Sequence, residues 1–215
     1  MLTFDCCAWR PCVQVAFKAL IVLHALMRSG EADMTFTTLT TASLPFGAGN
    51  YGRSAHVRAY ALYLDQRLKS YATVNRDVVR DKQDKRANAH RLRSLSVDKG
   101  LLRETREVQR IIAKLVEAKF YLDDTNDDVA MSALRFCVTD LLLLFQTVNE
   151  GVINVLEHYF EMSQVDAATA LKIYKTFCKD AESVVNYLSV AKRMSNIIGV
   201  QVPNLKHVRV TICFL

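Results

Sequence analysis

Apolar residues recur at intervals of three and four through most of this chain, and little interrupts them: its 215 residues include only seven glycines and three prolines. An all-β sandwich or barrel needs many tight turns, and those turns draw on the two residues that are scarce here. Long helices with short connections need few of either. Leu101, Leu102, Val108, Ile111, Ile112, Leu115 and Val116 show the spacing most plainly, and they predict a long helix capped by Asp98 and running to about Tyr121. About half of the residues are apolar, enough to bury a sizeable core, and an almost entirely α-helical domain follows.

The same spacing places the other elements. Val13–Met27 reads as a buried helix stopped at Ser29-Gly30, where a glycine in the left-handed conformation closes a helix. Glu31–Leu44 reads as a shorter, threonine-rich helix, and Pro45–Gly52 as a loop whose glycines match no phosphate-binding fingerprint. Ser54 is an N-cap candidate for a helix through Lys69 or beyond, with Val57, Tyr60, Ala61, Leu64 and Leu68 on one face. The polar run Arg76–Arg93 reads as a helix end followed by a mobile or loosely packed connection.

After an acidic turn at Asp123–Asp128, Asn126 or Asp127 begins a helix that buries Met131, Leu134, Cys137, Val138, Leu141, Leu142 and Phe145. A break or kink is expected near Asn149–Gly151. In the following Asn149–Met162 segment, NEGVINVLEHYFEM, helical spacing puts Val152, Ile153, Leu156, Tyr159 and Phe160 on one face. Asn154, Glu157, His158 and Glu161 fall on the other. A last helix, about Ala167–Met194, is expected to turn Leu171, Tyr174, Phe177, Val184, Val185, Leu188 and Val190 inward, before an extended Val202-Pro203.

The formal charge of +6 is concentrated. Between Arg53 and Arg93 there are 11 Lys and Arg against 4 Asp, while the rest of the chain is near neutral. A localised positive surface attracts anionic lipid or nucleic acid, and salt weakens either contact. The basic run Arg76–Arg93 has no interleaved aromatic residues to stack bases, which argues against nucleic acid. Its cations Arg76, Arg80, Lys82, Lys85 and Arg86 form the candidate basic membrane surface.

Catalytic and metal chemistry finds no support. The six cysteines lack zinc-ligand spacing, and Cys137 and Cys178 sit in apolar helical patterns as reduced, buried residues would. Cys6 and Cys7 leave acylation and ordinary thiols open. The five histidines build no triad or metal site; His24 reads as a hydrogen-bonded core residue and His158 as a surface group. The aspartates at 123–128 lack the order of a calcium loop. No nucleophile elbow, zincin or Walker motif is present, so no enzyme, metal or cofactor is expected. No apolar run reaches the roughly 20 residues that span a bilayer, and a cytosolic chain without a signal peptide is expected.

Several blocks, in order, resemble the ANTH domain of the monomeric clathrin assembly proteins, the CALM type of endocytic adaptor. Val15–Glu31 is similar to the family's FK-x-L-x-x-x-H-x-L-M-x-x-G helix at Phe17, Lys18, Leu20, His24, Leu26, Met27 and Gly30. Val57–Tyr71 resembles its R-x-Y-x-x-Y-L helix, and NEGVINVLEHYFEM follows its N-E-G-I-I-N-L-L-E-K-Y-F-x-M block almost position by position. Ile173–Met194 and Val202–Leu205 complete a set that spans residues 11–208, leaving 1–10 and 209–215 unassigned.

The resemblance implies a solenoid or bundle of antiparallel helices that binds phosphatidylinositol 4,5-bisphosphate at the cytoplasmic face of the plasma membrane. It also implies a role in recruiting clathrin at coated pits and vesicles during endocytosis, mainly through a long tail after the domain. The family's lysine-rich headgroup site precedes the FK-x-L helix, and Met1–Arg10 carries no lysine, so no headgroup ligand is transferred to this chain. A chain lacking the first helices and the tail is therefore expected, with apolar surface exposed on the Val13–Met27 helix. The alternative is a helical protein-interaction scaffold that has lost lipid binding. SNARE cargo, by the same resemblance, points to a groove near Val184, Tyr187, Leu188 and Ala191.

Overall fold

Where apolar residues recur at three and four, the backbone is helical. A computed structural model of the chain describes residues 10–41, 55–84, 89–120 and 128–203. The regular structure among them consists of α1 (Arg10–Ser29), α2 (Ala32–Thr41), α3 (Ala55–Val74), α4 (Val78–Gln83), α5 (Arg91–Ser94), α6 (Leu101–Leu115), α7 (Asp128–Glu157), α8 (Gln164–Arg193) and α9 (Ser195–Ile198). A 3-10 turn, Tyr159–Glu161, joins α7 to α8. The expected all-α class holds.

Side-chain pairs give the helix directions. Phe145 stacks on Phe177 at 6.1 Å, each about the same number of residues from the connecting turn, so α7 and α8 form an antiparallel hairpin. Ser70 meets Glu107 and Tyr60 meets Phe120, which sets α3 against the run of α6. Gln109 reaches the Ile173 carbonyl and Tyr187 that of Ala118, so α6 and α8 run parallel, as alternate members of an antiparallel stack do. The central helix is α7, which packs against α1, α4, α5, α6, α8 and α9.

Helix α1 shows how spacing becomes packing. Phe17, Leu20, His24 and Met27 step by three, four and three residues and are buried. Val15, Val22 and Leu26 form a second stripe on the other side, exposed at 67%, 59% and 51%, in agreement with the expected apolar surface on this helix. Gly30 ends α1 for a different reason from the one expected. Its backbone is not left-handed; a Cβ there would lie 2.6 Å from Thr35 Oγ1 and 2.7 Å from the Leu26 carbonyl oxygen, so close approach demands glycine.

Other expectations need correction. The break at Asn149–Gly151 is absent, because α7 runs on through Gly151 to Glu157. That glycine serves a close crossing: a Cβ would sit 2.7 Å from Thr105 Oγ1 and 3.2 Å from Leu92 Cδ1. Helix α6 starts behind Gly100 rather than Asp98 and stops at Leu115, short of Tyr121. The faces of the Asn149–Met162 segment are also exchanged in part: Asn154 is buried, while Ile153 is exposed and Phe160 is 94% exposed. On α8, Leu171 faces solvent and Ile173 takes the inward position. Cys137 and Cys178 are free thiols, the first buried and the second half-buried. The loop at Pro45–Gly52, the Ser54 cap, the acidic turn before Asp128 and cysteines 6 and 7 lie outside the described residues.

Candidate functional site

The most highly organised polar structure lies inside the bundle. Asp140, on α7, is fully buried. Its Oδ2 accepts from Tyr63 at 2.5 Å, from His24 Nε2 at 2.7 Å and from Arg67 Nη1 at 2.9 Å. Arg28 donates to its other oxygen. Arg67 spans α3 to α4 as well, placing Nη2 2.6 Å and Nε 3.3 Å from the two oxygens of Asp77. The Asp77 carboxylate also caps α4 by accepting from the Arg80 backbone N–H at 3.0 Å. Four helices thus share one network with two arginines and two carboxylates.

These charges fix the state of His24. Burial, then the charges of Arg67 and Arg28, hold its imidazole well below its ordinary range. The Asp140 carboxylate pulls the other way but is already shared by two guanidiniums, so the ring is neutral. With Nε2–H donating to Asp140, Nδ1 accepts from the Tyr60 hydroxyl at 2.8 Å. The expectation of a hydrogen-bonded core histidine is met. Burial likewise pushes the Tyr63 hydroxyl and Cys137 thiol well above their ordinary values.

The candidate basic surface is largely internal, which corrects the expectation of a loosely packed connection. Arg80 is buried and donates to the Gly30 carbonyl. Lys82 is also buried, with Nζ 2.7 Å from Glu150 Oε1 and 3.1 Å from the Ala89 carbonyl. Arg76 lies 3.3 Å from Asp81. The cause is topological: the Gly30 carbonyl just past α1 and Glu150 on α7 face Arg80 and Lys82 across the fold, so a hydrogen bond and an ion pair replace solvation. Lys85 and Arg86 lie outside the described residues.

Farther along, Asn154 donates to the carbonyls of Leu92 and Leu95 at 2.7 and 2.8 Å, tying α7 to the end of α5. Arg91 beside it pairs with Glu104 at 3.1 Å. The NEG run therefore supplies a cation partner in Glu150, a close crossing at Gly151 and, three residues on, a carbonyl clamp.

Val184, Tyr187, Leu188 and Ala191 do share one face of α8, but all four are buried. Tyr187 donates its hydroxyl to the Ala118 carbonyl at 2.9 Å. As placed, they form core and not an open groove.

An open groove does lie between α6 and α8. About 350 Å³ in volume, it is lined by Arg106, Gln109 and Arg110 from one helix and Lys172, Ile173 and Thr176 from the other. Its walls are tied together by the Gln109 side-chain amide, which donates to the Ile173 carbonyl at 2.9 Å. No motif marks these residues. Their signal in the sequence is the three- and four-residue spacing of Arg103, Arg106 and Arg110, which puts three cations on the side of α6 away from its apolar stripe.

Comparison with known proteins places this arrangement. The chain matches the ANTH domain over residues 10–210. An ENTH domain-containing protein of Schizosaccharomyces pombe is 34% identical over 202 residues, which cover 92% of this chain and 31% of that protein. Clathrin coat assembly protein AP180B of Saccharomyces cerevisiae is 31% identical over 205 residues, covering 90% of this chain and 34% of that protein. The phosphatidylinositol-binding clathrin assembly protein LAP of Drosophila melanogaster is 29% identical over 199 residues, covering 84% and 42%. The chain spans about a third of the length of the first two and about two-fifths of the third. With nearly all of its residues inside the match, the chain belongs to the ANTH domain family.

Proposed function

We propose that this chain is the ANTH part of a clathrin adaptor, which docks peripherally on phosphoinositide-bearing membrane at the cytoplasmic side of coated pits and helps assemble the clathrin coat. The family match across residues 10–210 carries this reading. Relatives named for clathrin coat assembly and for phosphatidylinositol binding support it. Among the described residues, no helix is long and apolar enough to cross a membrane. The formal charge of +6 supplies the attraction. Each basic residue near an anionic surface contributes on the order of 1 kcal/mol, within about a Debye length.

Co-sedimentation with phosphatidylcholine vesicles tests the docking step. Binding is expected to rise with the fraction of phosphatidylinositol 4,5-bisphosphate and to fall as salt is raised. A chain that stays in the supernatant at low salt overturns lipid docking. A second reading, a helical protein-interaction scaffold without lipid recognition, is favoured by one observation: Arg80 and Lys82 are occupied inside the fold. Absence of vesicle binding at every salt concentration would favour it.

A further inference from the structure

Tyr159 and Phe160 share the 3-10 turn between α7 and α8, their rings edge to face at 5.5 Å, yet the fold uses only one of them. Tyr159 is half-buried against the core, whereas Phe160 stands in solvent. Val165, five residues on in the first turn of α8, is 76% exposed. These two are the most exposed large apolar side chains among the described residues, and Ile153 near the end of α7 is exposed beside them in sequence. The turn is pinned where α8 begins: the Ser163 hydroxyl accepts from the Asp166 backbone N–H at 3.2 Å and donates to the Asp166 carboxylate at 2.7 Å. An apolar pair on a capped turn gives up little freedom when a partner covers it.

Charge narrows what that partner is. No Lys or Arg occurs from Phe136 to Leu171, although the chain has 28. Among the acids of that stretch, Asp140 lies in the core, Glu150 pairs with Lys82 and Asp166 is bonded to Ser163. Glu157 and Glu161 remain, both exposed, and neither has an ion pair among the described residues. Lys99 and Arg103, exposed where α6 begins, pair with neither. An otherwise basic chain thus offers apolar surface flanked by two carboxylates. An anionic membrane repels those carboxylates, so the exposed phenyl ring is poorly placed for lipid. Lys and Arg suit it better, because their heads meet carboxylates while their stems cover apolar surface.

We propose that the α7–α8 turn docks a basic amphipathic segment of a partner protein, whose apolar side chains cover Phe160 and Val165 while its Lys or Arg residues meet Glu157 and Glu161. This surface lies roughly 30 Å along α8 from the buried Val184–Ala191 face, and it does not depend on membrane docking.

The probe is a peptide of Leu and Lys about four turns long, with its leucines on one helical face. A scrambled peptide of the same composition and a Leu/Glu peptide of the same pattern are the references. Titration calorimetry uses the 215-residue wild type, Phe160→Ser, Glu157→Gln/Glu161→Gln, and a control on the exposed stripe of α1, Val22→Ser. Phe160→Ser and the double variant are each expected to bind the Leu/Lys peptide about fivefold or more weakly than the wild type, with melting temperatures unchanged because the replaced side chains are exposed. The Val22 control should bind as the wild type does, and both reference peptides should bind more weakly. A wild type that does not bind the Leu/Lys peptide, or that binds the scrambled one equally well, overturns the proposal, as does equal loss in the Val22 control. A Phe160→Ser variant that keeps the peptide and loses vesicles containing phosphatidylinositol 4,5-bisphosphate also overturns it, and assigns the ring to the membrane.

Discussion

Asp140 receives four donors on two oxygens in the buried centre of the bundle, so this one residue ties α7 to both α1 and α3. Asp140→Asn would leave Arg28 without its carboxylate and Arg67 with Asp77 alone; breaking a buried ion pair in this way costs about 3–5 kcal/mol. Urea denaturation measures the loss, and a change below about 1 kcal/mol would show that the network is peripheral to stability. His24 adds a pH dependence. Its folded value is lowered and its unfolded value is near 6.5, so the unfolded chain binds the extra proton and stability falls as pH drops below about 6.5. His24→Gln keeps a neutral donor for Asp140 and should flatten the melting temperature between pH 7.5 and 5.5. Parallel curves for the two proteins would contradict the assignment. His24 is legible in the sequence because a histidine in an apolar helix needs a hydrogen-bond partner. Asp140 is not, because its partners lie 73 to 116 residues away and on its own it reads only as an interruption of an apolar run.

At the scale of elements, spacing locates the long helices well and misreads what happens where they cross. Glycine after Asn149-Glu150 suggests a break when only local propensity is considered. The structure keeps α7 helical through Gly151 because Thr105 and Leu92 press against it from α6 and α5. Gly151→Ala should therefore destabilise the fold by about 1–3 kcal/mol through overpacking, despite alanine's better helix propensity; a stabilised variant would show that the crossing relaxes freely. Asn154 reads as a polar-face residue because nothing in its neighbourhood announces the two carbonyls it clamps. Leu171 reads as inward for a related reason: apolar residues on both sides of α8 leave the phase ambiguous until Ile173 is seen against α6. The exposed stripe on α1 carries its own expectation. Val22→Lys should leave thermal stability within about 0.5 kcal/mol and reduce self-association in light scattering, because it removes apolar area from an exposed face.

For the whole molecule, two sets of cations have different surroundings. Those at Arg80 and Lys82 face inward and hold α4 to α1 and α7. Those at Arg106 and Lys172 face a groove and have no carboxylate of their own among the described residues. Charge density along the chain reveals the first set because it is contiguous; the second is assembled from helices about 66 residues apart, and only folding brings it together. If membrane docking draws on exposed charge, as proposed, one comparison separates it from the buried charge: melting temperature and vesicle affinity measured side by side for Arg80→Gln/Lys82→Gln and Arg106→Gln/Lys172→Gln. The first variant is expected to lose about 3 kcal/mol of stability, with vesicle affinity per folded molecule changed less than about threefold. The second should melt with the wild type and lose about tenfold or more in affinity. If the first variant instead keeps its stability and loses the membrane, or the second melts early with its affinity intact, the division between structural and membrane-facing charge is contradicted.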